Sequence, residues 1–366
     1  MIKTGELKYI EEKIERREDL DEDDIVYMYD EADVNDLGKL ARSITDKISG
    51  KRVSFVSNII LNYTNICNVR CKFCAFYRKS GEYDAYTMTP DGVIDEIRKY
   101  YPYGIRQILI QGGVNPNLDL DYYLTVFRKI RENFTEAGIN GLSAAEINFI
   151  SKKAHLTYEE TILKLKEAGL ETIPGAGAEI LDEDVRVKLG RPRGSGRQWL
   201  EIMETAHRLG VKTTATMVYG HIESSMDKAR HLISIRNLQK KYHGFLSFTP
   251  WNMEPDNTEL QKEGILKYRA GAEDVIRNIA ISRIVFNYDL PIIQSSWLTN
   301  GVEMGQLAIL YGANDWGGTI YDEKVIPATG KRVGNLRKEI IIRSIKDLGM
   351  VPVERDNLYR EIAVYE

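Results

Sequence analysis

The sequence predicts an α/β fold, a (β/α)8 barrel of the TIM type preceded by a helical extension. Short β-branched or aromatic segments alternate eight times with amphipathic helical segments from about Arg52 onward. The helical segments carry ordinary end signals, such as the capping box of Thr157 and Glu160 and the terminating Gly169. Eight such units over about 270 residues match one barrel. An open doubly wound sheet is the alternative, but the even spacing of eight strands favours closure.

The chain divides into two predicted parts. Residues 1–51 read as a helical extension with a charged, solvated face, and residues 52–366 as the barrel with a C-terminal helical segment. No Gly-Ser linker or low-complexity tract separates them. The predicted strands cover residues 53–62, 107–111, 140–145, 171–174, 212–219, 244–250, 291–297 and 315–321.

Composition excludes several function classes. The net charge of −4 over 366 residues leaves no basic surface for nucleic acid. No apolar run of about twenty residues is present, so no membrane span is expected. The first residues lack the apolar core of a signal peptide. Clustered cysteines without disulfide partners suit a reducing compartment, and we expect a cytoplasmic protein.

All three cysteines of the chain lie within eight residues, as Cys67, Cys71 and Cys74. Thiolates select iron–sulfur clusters, zinc or copper. Three of them satisfy three corners of a [4Fe–4S] cluster and leave the fourth iron open. Structural zinc is the alternative, but it needs four ligands, and the nearest histidine, His155, is distant in sequence. The odd count and crowded spacing exclude a disulfide framework.

Polar, glycine and tryptophan residues collect beside the predicted strand ends. Active sites of such barrels lie at the carboxyl-terminal rim of the strands. The cysteine segment follows the first strand. The other candidates are Gln111, Gly112, Gly113, Glu146, Glu179, Tyr219, His221, Trp251, Gln294, Trp297, Asn314 and Asp315. We therefore expect one site at this rim.

The cysteine spacing, with Phe73 just before the last cysteine, resembles the radical S-adenosylmethionine (SAM) superfamily. The resemblance implies a [4Fe–4S] cluster whose open iron chelates SAM, and a 5′-deoxyadenosyl radical that abstracts a substrate hydrogen. It implies cofactor contacts from Phe73, Gln111, Gly112, Gly113, Glu146 and Glu179. The alternatives are a core phenylalanine, a plain glycine turn and acids on the surface or in barrel salt bridges.

Further candidates concern the substrate. Glu146 and His221 are the predicted catalytic residues. An aromatic substrate is expected to contact Arg78, Tyr219, His221, Trp251, Gln294, Trp297, Asn314 and Asp315. Core filling is the alternative role for the two tryptophans. Lys79 and Arg193 join Arg78 as candidate anion partners.

Several longer segments resemble the radical SAM enzymes of the futalosine route to menaquinone. They include Asn62-Tyr-Thr-Asn, Ala176-Gly-Ala-Glu-Ile180 and Tyr219-Gly-His-Ile-Glu223. Cys74-Ala-Phe-Tyr77-Arg78 and Gln294-Ser-Ser-Trp297 resemble most the cyclic dehypoxanthinyl futalosine synthases. Aminofutalosine synthase and the deazaflavin (FO) synthase components are the alternatives on the same scaffold. The chain departs from the family pattern at Val114, Ala144, Ala145 and Ala176.

The resemblance implies a cyclisation. The sugar part of dehypoxanthine futalosine loses a hydrogen atom, its carbon radical attacks the benzoate ring, and loss of an electron and a proton restores aromaticity. An electron donor such as flavodoxin or ferredoxin is then an expected partner. From a different class, a structural zinc-binding or electron-transfer module is the remaining alternative. A simple electron carrier needs neither a barrel of this size nor a glycine-lined pocket.

Overall fold

The protein was analysed as a computed structural model, which describes residues 6–190, 194–266, 269–332 and 335–366. Arg193, a candidate anion partner, lies outside the described residues. The strands are β1 Arg52–Val56, β2 Asn58–Leu61, β3 Gln107–Ile110, β4 Gly138–Gly141, β5 Leu170–Ile173, β6 Lys212–Tyr219, β7 Phe245–Asn252, β8 Asp315–Gly318, β9 Val351–Arg355 and β10 Glu361–Val364.

Six strands form one parallel sheet in the order β2-β3-β4-β5-β6-β7, and a second sheet has the order β10-β9-β1-β8. Parallel bridges connect the two sheets. Phe248 of β7 pairs with Ile293, and Gln294 pairs with Asp315 of β8. Tyr321, just after β8, pairs with Ile59 of β2. The curled parallel sheet of the predicted (β/α)8 fold is thus present, and these bridges bring β8 back to β2.

The helices in the described residues follow the predicted alternation with the strands. They are α1 Glu6–Glu15, α2 Glu22–Asp30, α3 Val34–Ser49, α4 Pro90–Tyr100, α5 Leu120–Asn133, α6 Ala144–Ala154, α7 Tyr158–Ala168, α8 Glu183–Lys188, α9 Gly196–Arg208, α10 Ser225–Tyr242, α11 Glu259–Lys262, α12 Ala272–Phe286, α13 Trp297–Asn300, α14 Val302–Leu310 and α15 Lys338–Lys346. None of the helices in these ranges has the length and apolar character that a bilayer-crossing segment requires.

Two predicted strands are shorter than expected, because a helix begins within each of the predicted strand ranges. Ser143 caps α6 through a capping box, so Ala144 and Ala145 lie in a helix and β4 ends at Gly141. The segment 291–297 makes only isolated bridges at Ile293 and Gln294. Its last residue, Trp297, begins α13. Local capping therefore competes with strand extension at both places.

The N-terminal extension consists of three helices that pack on the outer helical layer. The hydroxyl of Tyr29 on α2 donates to Asn278 Oδ1 of α12 over 3.0 Å. The hydroxyl of Thr45 on α3 donates to the Gly312 carbonyl over 2.8 Å. Apolar residues of these helices join the core of the barrel, among them Ile25 and Leu37. The division into two domains at residue 52 stays a prediction.

The C-terminal segment differs from the helical prediction. It contains α15, but two strands follow, of which β9 pairs in parallel with β1 and β10 pairs antiparallel with β9. The loop that joins them enters the barrel at the amino ends of the strands. There Asn357 Oδ1 accepts from Gln107 Nε2 over 2.9 Å, and the Tyr359 hydroxyl lies 2.6 Å from Ser247 Oγ. The tail thus closes the floor of the barrel.

Candidate active site

A cavity of about 340 Å³ opens inside the barrel. Ligand pockets of proteins typically have volumes of this order. Side chains on the inner face of the strands form its walls. On β6, Thr214, Thr216 and Val218 line the cavity, while the residues between them face the helices. Cys74 of the cysteine loop also lines the cavity, so the loop and the barrel interior form one site.

The cysteine loop, residues 62–78, is held in place by backbone hydrogen bonds. The Cys67 N–H donates to the Arg78 carbonyl over 3.1 Å, and the Cys74 N–H donates to the Cys71 carbonyl over 3.0 Å. The Val114 N–H, from the loop after β3, donates to Cys67 Sγ over 3.3 Å. Amide hydrogen bonds to cysteine sulfur are one means by which proteins set iron–sulfur potentials. The loop therefore suits thiolate ligands.

The three cysteines fit a cluster better than a single ion. None of them forms a disulfide, and each is partly exposed. Within the described ranges, no three His, Cys, Asp or Glu side chains converge as they must around one metal ion. A structural zinc ion needs four ligands around one point. In a [4Fe–4S] cluster each thiolate binds a different iron, so the sulfurs need not converge on one point.

Gly112 and Gly113 allow the loop after β3 to lie against the cysteine loop. A Cβ at Gly113 would stand 2.3 Å from the Ile66 carbonyl oxygen and 2.9 Å from Cys67 Cβ. A Cβ at Gly112 would stand 2.8 Å from the Tyr63 ring. These glycines are thus required by close backbone approach beneath the predicted cluster. Their contact with SAM stays a prediction.

Phe73, Gln111 and Glu179 line the cavity. Glu179 follows β5, and its φ of +45° is uncommon for a residue with a side chain. Its carbonyl accepts from the Val218 N–H over 3.0 Å, which anchors it against β6. All three residues line the same cavity as Cys74, and their contacts with the cofactor stay a prediction.

Trp251, Gln294 and Trp297 line the cavity as well. Trp297 is nearly buried, and its indole N–H donates to the Gly318 carbonyl over 3.1 Å. Trp251 is only partly buried, so its ring is the more accessible of the two. Gln294 accepts from the Thr249 hydroxyl over 2.8 Å and donates to the Tyr359 hydroxyl over 2.8 Å.

Glu146 does not line the cavity, and its predicted catalytic and cofactor roles stay a prediction without support from this geometry. It is the third residue of α6, and its carboxylate reaches back to the Ser143 N–H over 2.6 Å. The same carboxylate accepts from the Tyr63 hydroxyl over 2.6 Å and from the Gly112 N–H over 3.2 Å. Burial raises its pKa even against these hydrogen bonds. The spacing of Ser143 and Glu146 is a capping-box signal, which the sequence already contained.

His221 and Tyr219 also lie outside the cavity wall. Tyr219 falls on the helix-facing side of β6, where its hydroxyl is buried without a partner in the described residues. The His221 ring donates through Nε2 to the Val218 carbonyl over 2.9 Å, and its Nδ1 lies 2.9 Å from Glu223 Oε2. Burial opposes ionisation of Glu223, but His221 and two backbone N–H groups lower its pKa to about 2. The cavity lining therefore gives no support to the substrate contacts predicted for both residues, which stay a prediction.

Arg78 belongs to the cysteine loop rather than to a substrate pocket. Its guanidinium donates to the carbonyls of Ala75, Phe76 and Tyr77 and pairs with Asp84 over 2.8 Å. The three carbonyl contacts all come from Nη1 of Arg78, and they curve the loop after Cys74. These contacts shape the loop, and the predicted substrate contact of Arg78 stays a prediction.

Asn314 and Asp315 stand at the start of β8, so they lie at the opposite end from the rim. Asn314 accepts from Arg283 over 2.8 Å and from the Ile293 N–H over 3.0 Å. Asp315 is fully buried and pairs with Arg355 through contacts of 2.6 Å and 3.1 Å. Both are buried at the floor end of the barrel rather than at the predicted rim, and their substrate contacts stay a prediction.

Arg355, the last residue of β9, and Tyr359, in the loop after it, line the cavity and were not predicted. The Arg355 guanidinium stacks 3.6 Å from the Tyr359 ring centre. Burial opposes the charge of Arg355, but Asp315 outweighs it and raises the pKa. The sequence contained one signal for these two residues. Asn58 and Gln107 are polar residues at the amino ends of buried strands, and buried polar groups need hydrogen-bond partners.

Comparison with protein families agrees with this arrangement. Residues 61–233 match the model of the radical SAM superfamily, and residues 242–365 match the CofH/MqnC C-terminal region. The second match spans β7 through β10, so it includes the tail that closes the barrel floor.

Three relatives differ in their named activities. The aminodeoxyfutalosine synthase of Thermus thermophilus is 37% identical over 100% of this chain and 98% of its own. The cyclic dehypoxanthine futalosine synthase of Halalkalibacterium halodurans is 35% identical over 95% of this chain and 93% of its own. The 5-amino-6-(D-ribitylamino)uracil–L-tyrosine 4-hydroxyphenyl transferase of Methanothermobacter thermautotrophicus is 36% identical over 88% of each chain.

Solved structures share the fold at low sequence identity. HydG, a maturase of the [FeFe]-hydrogenase, aligns with a TM-score of 0.75 at 17% identity, over 95% of this chain and 76% of its own. Methylornithine synthase (PylB) aligns with a TM-score of 0.71 at 16% identity, over 94% and 97%. The chain therefore belongs to the radical SAM superfamily, enzymes that use a [4Fe–4S] cluster and SAM, and within it to the group with the CofH/MqnC C-terminal region.

Proposed function

We propose that this enzyme is a cyclase of menaquinone biosynthesis that converts dehypoxanthine futalosine to cyclic dehypoxanthinyl futalosine. The observation that supports it is the two-part lining of the cavity. Trp251 and Trp297 form an aromatic wall, while Gln107 and Gln294 contribute amide groups near the floor. A substrate with one aryl ring and one hydroxylated sugar part matches these two chemistries.

The cofactor roles in this proposal follow the cysteine loop. Cys67, Cys71 and Cys74 hold the cluster, and Phe73, Gln111, Gly112, Gly113 and Glu179 surround SAM. When both are bound, they supply the 5′-deoxyadenosyl radical that abstracts a hydrogen atom from the sugar part. A one-electron donor of the ferredoxin or flavodoxin type is the proposed partner, in the cytoplasm.

The protein's own contribution is to orient the two halves of the substrate. A misplacement of reacting atoms by about 1 Å can cost ~100-fold in rate. Trp251 offers a partly exposed ring, and stacking on such a ring contributes on the order of 1 kcal/mol beyond the buried area. Gln294 is fixed by Thr249 and Tyr359, so its amide presents a defined orientation to the cavity.

Aminodeoxyfutalosine synthesis is the second candidate. The relative of that name is 37% identical along the whole chain. Its reaction adds the adenosyl radical to an enolpyruvyl-oxybenzoate, so SAM is consumed into the product. Deazaflavin-type synthesis from a ribitylaminouracil and tyrosine is the third reaction that the experiment must distinguish.

The deciding experiment is an anaerobic incubation of the reconstituted enzyme with SAM and a reductant. Separate reactions contain dehypoxanthine futalosine, the enolpyruvyl-oxybenzoate, or 5-amino-6-(D-ribitylamino)uracil with tyrosine. We expect 5′-deoxyadenosine and a product lighter than dehypoxanthine futalosine by two hydrogen atoms. Cys71→Ala, which lacks one proposed cluster ligand, is the matched control and is expected to yield neither. A product in either other reaction, with none in the first, rejects the cyclase proposal.

A further inference from the structure

Three carboxylates line the cavity, and they differ in their partners. Glu254 pairs with Lys331 over 2.5 Å and with Arg269 over 3.1 Å, so its charge is compensated. Glu179 stands beside β6 in the region proposed for SAM. Glu323 pairs with no lysine or arginine in the described part of the chain. It therefore differs chemically from Glu254.

Glu323 lies at the same rim as the cysteine loop. It follows β8 by five residues, and Tyr321 of the same segment bridges to Ile59 of β2. The N–H of Lys324 donates to Asn62 Oδ1 over 3.0 Å. Asn62 lines the cavity and begins the cysteine loop. The carboxylate thus stands between the end of β8 and the start of that loop.

Two backbone hydrogen bonds fix the Glu323 carboxylate. Its Oε1 accepts from the Val325 N–H over 2.7 Å, and its Oε2 accepts from the Ile326 N–H over 3.0 Å. Each oxygen keeps a further lone pair for another donor. A base that is held in this way needs no rearrangement to receive a proton, which is the condition for efficient proton transfer.

The charges around Glu323 favour reversible protonation near neutrality. Burial raises its pKa to about 7, the neighbouring Asp322 adds to this, and the two backbone N–H groups oppose it. Tyr86 also faces it from the cysteine-loop side, with a pKa raised by burial and by both acids. Lys324 pairs with Asp322 over 3.1 Å rather than with Glu323. A carboxyl in this state can take up a proton and release it again.

We propose that Glu323 is the proton acceptor for the ring-restoring step of the reaction. This inference rests on the cyclase function proposed above. After ring closure the aryl part carries an unpaired electron and one tetrahedral carbon that still bears hydrogen. That C–H bond breaks, its proton joins Glu323, and its electron pair stays in the ring as a radical anion. One electron then leaves to a one-electron acceptor of the iron–sulfur or flavin class, and the ring is aromatic again.

The test compares Glu323→Gln with the wild-type enzyme and with Asp322→Asn. The control changes the neighbouring acid of the same loop to its amide, and Asn tolerates the φ of +60° at that position. For each protein, 5′-deoxyadenosine and the cyclised product are quantified from pH 5.5 to 8.5. Iron content, thermal unfolding and substrate affinity of each variant establish that the site is intact.

We expect Glu323→Gln to form 5′-deoxyadenosine while the cyclised product falls about 100-fold, within the usual range for a lost general base. Wild-type product formation should rise as the pH passes through about 7, where Glu323 ionises, and this rise should be absent from the variant. Asp322→Asn should keep the product yield and the rise, displaced to lower pH. Glu323→Asp should retain the pH dependence at a reduced rate.

Two results would overturn the assignment while leaving the cyclase proposal standing. One is a normal product yield and an unchanged pH profile from Glu323→Gln. The other is a folded, iron-loaded Glu323→Gln protein that forms neither 5′-deoxyadenosine nor product, because the residue then acts before the radical is generated. If the wild-type enzyme itself gives no cyclised product, the proposed function fails and the inference fails with it.

Discussion

The contact between Gly113 and the cysteine loop leads to a quantitative prediction. In Gly113→Ala, the added Cβ would meet the Ile66 carbonyl oxygen at 2.3 Å, whereas ordinary contacts begin at 3.4 Å. One of the two segments must therefore move by about 1.1 Å, the difference between these distances. Both neighbouring atoms, the Ile66 carbonyl and Cys67 Cβ, belong to the cysteine loop, and neither is the end of a flexible side chain.

A movement of that size affects metal binding more than stability. Metal–ligand distances tolerate deviations of only about 0.2 Å, so the displaced Cys67 should lose most of the iron. Overpacking typically costs about 1–3 kcal/mol. With an unfolding entropy of about 2.1 cal/mol/K per residue, the 366-residue chain should unfold only about 1–4 °C lower.

The assay is iron and sulfide per chain after anaerobic reconstitution, together with the thermal unfolding of the cluster-free protein. Gly271→Ala is the matched control, because its φ is −81° and the nearest atom to the added Cβ is Asp274 Oδ2 at 3.6 Å. Cys67→Ala provides the reference for a lost ligand. Full iron content in Gly113→Ala would refute the reasoning, since the loop would then have room for the methyl group.

Three further predictions address the wall, the floor and the outer layer. Trp251→Ala should keep SAM cleavage but yield little cyclised product. Normal cyclisation by this variant would show that Trp251 only packs in the cavity wall and does not orient the substrate. Asp315→Asn should lower the unfolding free energy by about 3–5 kcal/mol in denaturant titrations, because it leaves the buried charge of Arg355 unpaired. The control Asp95→Asn, which breaks an exposed ion pair with Arg98, should lower it by at most ~1 kcal/mol. Glu223 has a folded-state pKa of about 2, below its unfolded value of 4.5, so its stabilisation is present above pH 4.5 and is lost as the pH falls toward 2. Cluster-free wild type should therefore lose about 3 kcal/mol more than Glu223→Gln between pH 5 and pH 2, and equal losses would contradict this stabilisation of the Glu223 carboxylate.

Residues close together in the chain carried most of what was predictable. The cysteine spacing lies within eight residues, so its chemistry can be read without knowledge of the fold. Strand and helix alternate with local periods of two and 3.6 residues, and the barrel fold follows from their repetition. Phe73, Gln111 and Trp251 line the cavity, as the rim argument predicted, whereas Gln294 lines it near the floor.

Side chains were placed wrongly where the face of a strand or the cap of a helix decides the direction in which the side chain points. Tyr219 is one residue from Val218, but a one-residue step along a strand moves a side chain to the opposite face. Glu146 also follows a strand, yet the cap of α6 turns it away from the cavity.

Only the tertiary structure could bring distant segments into the site. Arg355 and Tyr359 reach the barrel floor from the end of the chain, some 40 residues after Asp315 in the case of Arg355. The segment that carries Glu323 reaches the cysteine loop through the bridge of Tyr321 to Ile59 and the hydrogen bond from the Lys324 N–H to Asn62. The sequence by itself determined the barrel and predicted the cluster ligands, since both depend on short-range spacing. The partners of the cavity's charged groups depend on contacts between residues far apart in the chain, which no local pattern encodes.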